Sequence, residues 1–502
     1  MKLKILFFLT FNLAICNVQY SQDIINILGT NGLFKIKDAS NDFLTLSQSS
    51  GNLSLNRSFL LPNTTNSAIG IIYKGQERFI HNYQAPGTHG INTFIGINSG
   101  NFTMYGSTIQ ASYNTGIGVN SLVSLTTGYS NVAVGVNSLY SNTIGKDNTA
   151  VGNSTLFLTT TGYRNSAYGS SSLYNNTTGS FNTAHGYQSL FSNTIGWTNS
   201  AFGNGSLFAN TTGSYNSAFG SSSLANNTTG EFNSAFGVSS LVNNTTGVFN
   251  SSFGPNSLRY NTTGSYNSAF GMQSLEFNST GYNNSAFGLY SLHHNNTGAY
   301  NSAFGEGALT NNTTGMRNSA FGRNALFSNT TGSNNSAIGY DAQVPSGTSD
   351  NQVRIGNTLV TYAGVQVPWT ITSDRRWKSD IQNSGLGLGF IAKLRPVSYF
   401  RNNDEGKKTE YGFIAQEVEE MLKEAGIENS GMLTVTDEGM YELRYNDLLA
   451  PMVKAIQELK AENDELKEKL AKFEEMQNKL VNEIEILKSK NNEIREVKLT
   501  RK

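Results

Sequence analysis

Small, aromatic and polar positions recur along this chain with a period of 17 residues. One copy reads Asn165-Ser166-Ala167-Tyr168-Gly169, then Ser172-Leu173, then Asn176-Thr177-Thr178-Gly179. The glycine that closes the first block recurs without a slip at 118, 135, 152, 169, 186, 203, 220, 237, 254, 271, 288, 305, 322 and 339. A second glycine follows ten residues after each of the first thirteen, from Gly128 to Gly332. A fixed period of this length marks a solenoid or stacked array rather than a compact globule. Within each copy, alternating small and aromatic residues predict a short strand at Asn-Ser-Ala-Phe-Gly. Asn-Thr-Thr-Gly predicts a turn in which glycine supplies positive φ and the Asn and Thr side chains bond to nearby backbone. Ser-Leu between them predicts a second short strand.

Each copy is then one coil of a β-solenoid or β-roll. With strands about 4.8 Å apart, fourteen such coils stack to roughly 65 Å. An Asn/Ser/Thr/Gly-rich tract also has the composition of a disordered linker. A linker, however, needs no ring or branched side chain before every strand glycine. One aromatic and one leucine per coil contribute roughly 1.5–3 kcal/mol each on burial. Ordering the coil's backbone costs on the order of 1–2 kcal/mol per residue. Ladders of backbone and side-chain hydrogen bonds offset part of that, and a core shared among chains offsets more, so the pattern predicts an oligomeric rod. The Asn-Thr-Thr triplets, such as Asn176-Thr177-Thr178, match a glycosylation acceptor pattern. At this density they read as a ladder of Asn/Thr turns. His185 takes the place of the strand aromatic and is expected to be packed, while His293 and His294 fall near a turn and are expected at the surface. No metal or cofactor site is expected.

Charge divides the chain. From Ser112 to Tyr340 the acidic residues are Asp147, Glu231, Glu276 and Glu306, whereas the last 130 residues are dense in Lys and Glu. A neutral rod gives no electrostatic reason to expect nucleic acid as a partner. A polysaccharide-degrading solenoid would need paired carboxylates, and these four are scattered along the repeats. Lys2 and Lys4 precede the apolar run Ile5 to Ile15, which reads as a secretory signal over residues 1–22 and is too short for a membrane span. A bacteriophage structural protein would fit this signal badly. The single cysteine, Cys16, ends that run, so the mature chain folds without disulfides. Ile15 is too large for a good lipoprotein box before Cys16. No other stretch reads as a transmembrane segment.

Residues 23–111 alternate apolar runs with glycine-containing turns, as in Gly32-Leu33-Phe34-Lys35-Ile36, and predict an all-β segment that continues the fibre. Residues 112–343 are the repeats and 344–372 a connector. The composition then shifts to a charged segment ending in a long helix. Its heptads place Met452, Leu459, Leu466, Phe473, Leu480, Leu487 and Ile494 at d, and Ile456, Asn463, Leu470, Gln477, Ile484, Asn491 and Lys498 at a. This predicts a coiled coil over 450–502. Buried Asn at a leans toward dimers.

Val132-Ala133-Val134-Gly135, Ala150-Val151-Gly152 and Ser336-Ala337-Ile338-Gly339 resemble the head repeat of trimeric autotransporter adhesins. The resemblance implies a left-handed parallel β-roll assembled as a trimer. It departs in the longer period and in the lack of a C-terminal membrane barrel. Over residues 370–465 a second resemblance rests on three blocks. They are Ser373-Asp374-Arg375-Arg376-Trp377-Lys378, Leu394-Arg395-Pro396-Val397 and Gly412-Phe413-Ile414-Ala415-Gln416-Glu417. These resemble the self-cleaving intramolecular chaperone domain of phage endosialidase tailspikes. That family implies a domain that trimerises, guides assembly of the fibre before it, and cuts itself off with a serine-lysine dyad. Here the dyad falls on Ser373 and Lys378, the scissile bond on Thr372–Ser373, and the supporting motif residues on Asp374, Arg376, Gly412, Phe413, Gln416 and Glu417.

The dyad chemistry also follows from the residues. A serine is a weak nucleophile until a base takes its proton, and Ser-Lys is a known variant of the triad. The lysine must be neutral, against a free pKa of about 10.4, and Arg375 and Arg376 are candidate perturbers. A five-residue spacing puts the two groups about 140° apart on a straight helix. Ser373 must therefore sit off the helix, in a turn or cap, or the lysine must come from another chain. Without the family, Ser373 reads as a helix cap.

The expected fold is mainly β: a trimeric parallel β-roll of 17-residue repeats, a small α+β chaperone domain over 373–449, and a C-terminal coiled coil. The expected function is an exported fibre of adhesin or tail-fibre type, secreted or held at a bacterial surface. Its partners are copies of itself and an unidentified cell-surface or glycan ligand. Its C-terminal domain sets the register of the chains and then cleaves once, with no external substrate. The alternative is a stalk that keeps this domain uncleaved as a trimeric cap.

Overall fold

The computed structural model describes residues 33–37, 42–47, 50, 52–55, 60–367 and 369–501. The expected signal segment and Cys16 lie outside the described residues. The chain divides at Ile71 into two units. The first carries an antiparallel sheet of Leu33–Lys37, Asp42–Ser47 and Leu53–Leu55.

The second unit begins with the antiparallel hairpin Ile72–Lys74 and Glu77–His81, whose second strand pairs antiparallel with Thr93–Ile95. From Thr93–Ile95 onward the pairing is parallel. Three-residue strands follow every 17 residues from Thr115–Ile117 to Val353–Ile355, each in register with the next. The solenoid therefore extends beyond the residues that carry the plainest repeat, taking in 93–111 at one end and Val353–Ile355 at the other.

The coil interior is set by alternation along each strand. In Ser217–Phe219, Ala218 points inward with no exposure, while Ser217 and Phe219 are partly exposed on the outer face. The apolar interior residues are thus alanine and leucine, not the aromatic and leucine that composition suggests. The strand aromatics instead stack on one another outside the coil, with ring centroids 4.7 Å apart for Phe202 and Phe219 and for Phe219 and Phe236. His185 joins this column between Tyr168 and Phe202, as expected.

Ser-Leu is not a second strand. Leu224 is fully buried, but in a turn and in the left-handed region at φ 50°. That conformation costs a non-glycine residue about 1–2 kcal/mol, and burying a leucine contributes about 1.5–3 kcal/mol, so burial wins. The glycines also exchange the expected roles. Strand glycine Gly220 has φ 137°, and a Cβ there would lie 2.5 Å from Gly237 O of the next coil. Turn glycine Gly230 is absent from the positive-φ residues; it is required because a Cβ would lie 2.5 Å from Gly247 O.

Two buried asparagine ladders run along the stack. Asn233 Nδ2 donates to Asn216 Oδ1 at 3.2 Å and to Gly247 O at 2.8 Å, and its backbone N–H also donates to Asn216 Oδ1. Asn227 Nδ2 donates to Asn210 Oδ1 at 2.8 Å and to Gly230 O at 3.0 Å. Thr228 Oγ1 donates to Thr245 O at 3.0 Å. This is the expected Asn/Thr ladder. Asn176, in the acceptor-like triplet, is fully buried. His293 departs from its expected surface place. Only 13% of its side chain is exposed, and Nε2 sits 2.9 Å from the carboxylate of buried Glu276, which also faces Arg259 at 3.5 Å. His294 is exposed, as expected.

After the solenoid come a small α/β region and the helix Leu449–Leu499, 51 residues long. Leu386, Phe390, Val418, Leu422 and Leu448 form the buried core of that region. Among the described residues no helix is long and apolar enough to cross a membrane.

Candidate functional site

Ser373 precedes a single 3-10 turn, Arg375–Trp377. Asp374 is the residue that caps it: extended at φ −65° and ψ 138°, it accepts the Arg376 N–H on its carboxylate at 2.8 Å. Ser373 is therefore not the cap. The Arg376 guanidinium returns to the same carboxylate, with Nε 3.1 Å from Oδ1 and Nη2 2.8 Å from Oδ2. This pairing holds the Asp374 carboxyl below the usual range, first through the side-chain bond and then through the backbone one. It also engages Arg376, one of the two cations expected to act on Lys378.

Lys378 leaves the turn extended, at φ −122° and ψ 133°, and its N–H closes the turn on Arg375 O. The side chain then folds back across the turn, and Lys378 Nζ lies 2.7 Å from Ser373 Oγ. A continuous α-helix would hold these groups on different faces. One short turn with extended residues on both sides brings them together within one chain. Thr372, Ser373 and Lys378 are all exposed in the single protomer.

The other motif residues form a separate cluster. Val397–Tyr399 pairs antiparallel with Glu410–Gly412. Gly412 is buried, and a Cβ there would lie 2.3 Å from Tyr445 Oη. The absent side chain lets the Tyr445 hydroxyl accept the Phe413 N–H at 3.1 Å. Helix Ala415–Glu424 starts two residues later. Gln416 is exposed on its first turn, and Glu417 takes the Arg395 guanidinium, with Nε 3.1 Å from Oε2. That bond lowers the Glu417 carboxyl's pKa. Leu-Arg-Pro-Val and Gly-Phe-Ile-Ala-Gln-Glu are thus two halves of one scaffold, joined by Arg395 and Glu417. Among the described residues no hydrogen bond or ion pair joins this cluster to the side chains of Ser373, Asp374, Arg376 or Lys378.

The long helix is anchored to the region at its start. Glu458 accepts the Leu388 N–H at 2.6 Å and pairs with Lys454 at 3.2 Å. Both contacts lower its carboxyl pKa, the Leu388 bond most. Further along, the heptad residues lie open. Leu459 is 54% exposed, Leu466 63%, Phe473 64% and Leu480 58%.

One set of contacts went unread in the sequence. The hairpin of Leu433–Val435 and Tyr441–Leu443 grips the end of the solenoid. Asp437 accepts the Gly347 N–H at 2.9 Å, and its own N–H donates to Pro345 O at 2.8 Å. In each coil before, the residue equivalent to Gly347 donates to the next coil, as Thr313 does to Thr330 O. Asp437 supplies an acceptor where no further coil does. Arg354 stands opposite Ala337 in the last strand pair, and its guanidinium reaches Gln343 O and Glu442. The 17-residue register did carry a signal, because a charge falls where every earlier coil has a small interior residue.

No curated protein matches the chain, and no solved structure matches it. Residues 373–427 match the family model described as chaperone of endosialidase, which together with the β-solenoid before it fits a tail-fibre-like protein.

Proposed function

We propose that this chain is an exported homotrimeric fibre whose C-terminal region aligns three chains and then cuts itself off at Thr372–Ser373. The observation that carries the reading is the 2.7 Å approach of Lys378 Nζ to Ser373 Oγ inside a segment matched by a chaperone family. Neutral Lys378 takes the Oγ proton. Oγ adds to the Thr372 carbonyl carbon, the Thr372–Ser373 C–N bond breaks, and the proton passes from Lys378 to the departing Ser373 amine. The resulting ester is hydrolysed by water. Thr372 is left with a carboxylate, and Ser373 with a free hydroxyl and a free amine. The cut happens once per chain, and the domain has no external substrate.

The exposure of the dyad in one protomer fits a delayed cut. Desolvation disfavours a charged amine, so covering of the site by neighbouring copies would favour the base that the cut needs, and cleavage would follow assembly. The open heptad stripe is the surface on which copies would first meet, as a coiled coil.

Alignment matters because the repeats are nearly identical. Slipping one chain by a coil loses one coil of contacts and keeps the rest. A unique trimerising end removes that ambiguity before the coils zip together, and its later removal leaves a fibre that persists kinetically. Export rests on the Lys2 to Ile15 pattern.

The test is the native mass of the purified full chain, with the denatured mass of wild type beside Lys378→Met. The reading expects a trimer, a wild-type fragment ending at Thr372, and an uncut variant. A trimer left whole in both would instead make the domain a permanent cap.

A further inference from the structure

We propose that the outer face of the solenoid's parallel sheet is the surface on which copies of this chain pack against one another; this rests on the oligomeric reading above and names its interface. The face consists of the first and third residues of each three-residue strand. From Thr115–Ile117 to Val353–Ile355 none of these residues is acidic, Lys or Arg. Lys146, Asp147, Arg164, Glu231, Glu306 and Arg323 all fall outside the strands, and Arg354 takes the inward strand position. A surface free of charge along its whole length, on a chain that places charge freely elsewhere, is what a permanent interface requires.

The rings on this face narrow the choice of occupant. Phe219 and Phe236 stack with centroids 4.7 Å apart and planes 4° apart, and Phe253 and Phe270 stack at 4.7 Å and 6°. Each ring face is covered by the next ring, so a sugar has no face on which to stack. What remains open is a row of ring edges beside a row of serine hydroxyls. Such a flat, continuous, uncharged strip suits a second strip of the same kind.

Its size is also right. Fifteen strands about 4.8 Å apart and roughly 10 Å wide present on the order of 700 Å². Stable interfaces bury about 800 Å² per partner. The partly exposed aromatics would then supply the apolar burial that one coil alone lacks.

The experiment places the photo-crosslinker p-benzoylphenylalanine at Phe236 in the full chain, where the benzoyl group extends the ring on the sheet face. A second variant carries it at exposed Asn226, about halfway round the coil. Both are irradiated and sized after denaturation, beside the native mass of wild type. The proposal expects covalent dimers and trimers from position 236 and none from 226. An oligomeric protein whose 236 variant gives no chain-to-chain adduct overturns the interface and leaves assembly to the helix. A monomeric wild type overturns both readings.

Discussion

Arg354 Nη2 donates to Glu442 Oε1 at 2.5 Å, joining the last coil of the solenoid to the hairpin after Ser373 across 88 residues of sequence. Asp437 adds two backbone bonds, to Gly347 and Pro345. A cut at Thr372–Ser373 therefore does not by itself separate the two pieces. After cleavage the C-terminal fragment is expected to co-elute with the fibre at low salt and to leave it as salt screens the pair. A partly exposed ion pair contributes up to about 1 kcal/mol, so Glu442→Gln should weaken retention by roughly five-fold at low salt. Size-exclusion chromatography of the cleaved protein at two salt concentrations reads this directly.

The asparagine ladder should be far more sensitive than the coil surface. Asn233→Ala removes the donor to Gly247 O and the acceptor of the Asn250 N–H, leaving buried polar groups without partners. Each such loss costs about 1–3 kcal/mol. The Asn226 side chain donates to Asn243 at the surface, so Asn226→Ala should stay within about 0.5 kcal/mol of wild type. Urea titrations of the two variants should separate clearly.

His81 should make the start of the solenoid acid-sensitive. Burial, together with nearby Arg78, pushes its pKa down to about 4, against the opposing bond to Ser99 O. Nε2 is 2.8 Å from Ser99 O, and Nδ1 accepts the Tyr83 N–H at 3.3 Å, so the neutral ring uses both nitrogens. Below an unfolded pKa of about 6.5 the unfolded chain binds the proton first, so stability falls as pH drops from about 6.5 toward 4. The full effect is about 3 kcal/mol by linkage. Hydrogen exchange over residues 77–95 at pH 7 and pH 4.5 should show loss of protection in wild type, and a smaller loss in His81→Gln.

How much could be read in advance differs from residue to residue. The strand at Ser217–Phe219 was legible because Gly220 recurs at a fixed spacing and the residues before it alternate. Which side of that strand faces inward was not. Alternation separates Ala218 from Phe219 without saying which is buried, and the larger ring proved to lie outside. Leu224 was legible as buried but not as left-handed, since that conformation is held by the packing of the next coil. The approach of Ser373 to Lys378 was foreseen only as a requirement, because spacing alone cannot say that Asp374 would cap a single turn between them. Asp437 carried no local pattern at all, as its partner lies 90 residues away.

Self-cleavage by Ser373 is read directly by the denatured intact mass of purified wild type beside Ser373→Ala. Two wild-type fragments divided between Thr372 and Ser373 are expected, and a single full chain for the variant. Wild type that stays whole under conditions where it is assembled, or Ser373→Ala that is still cut at that bond, would contradict it.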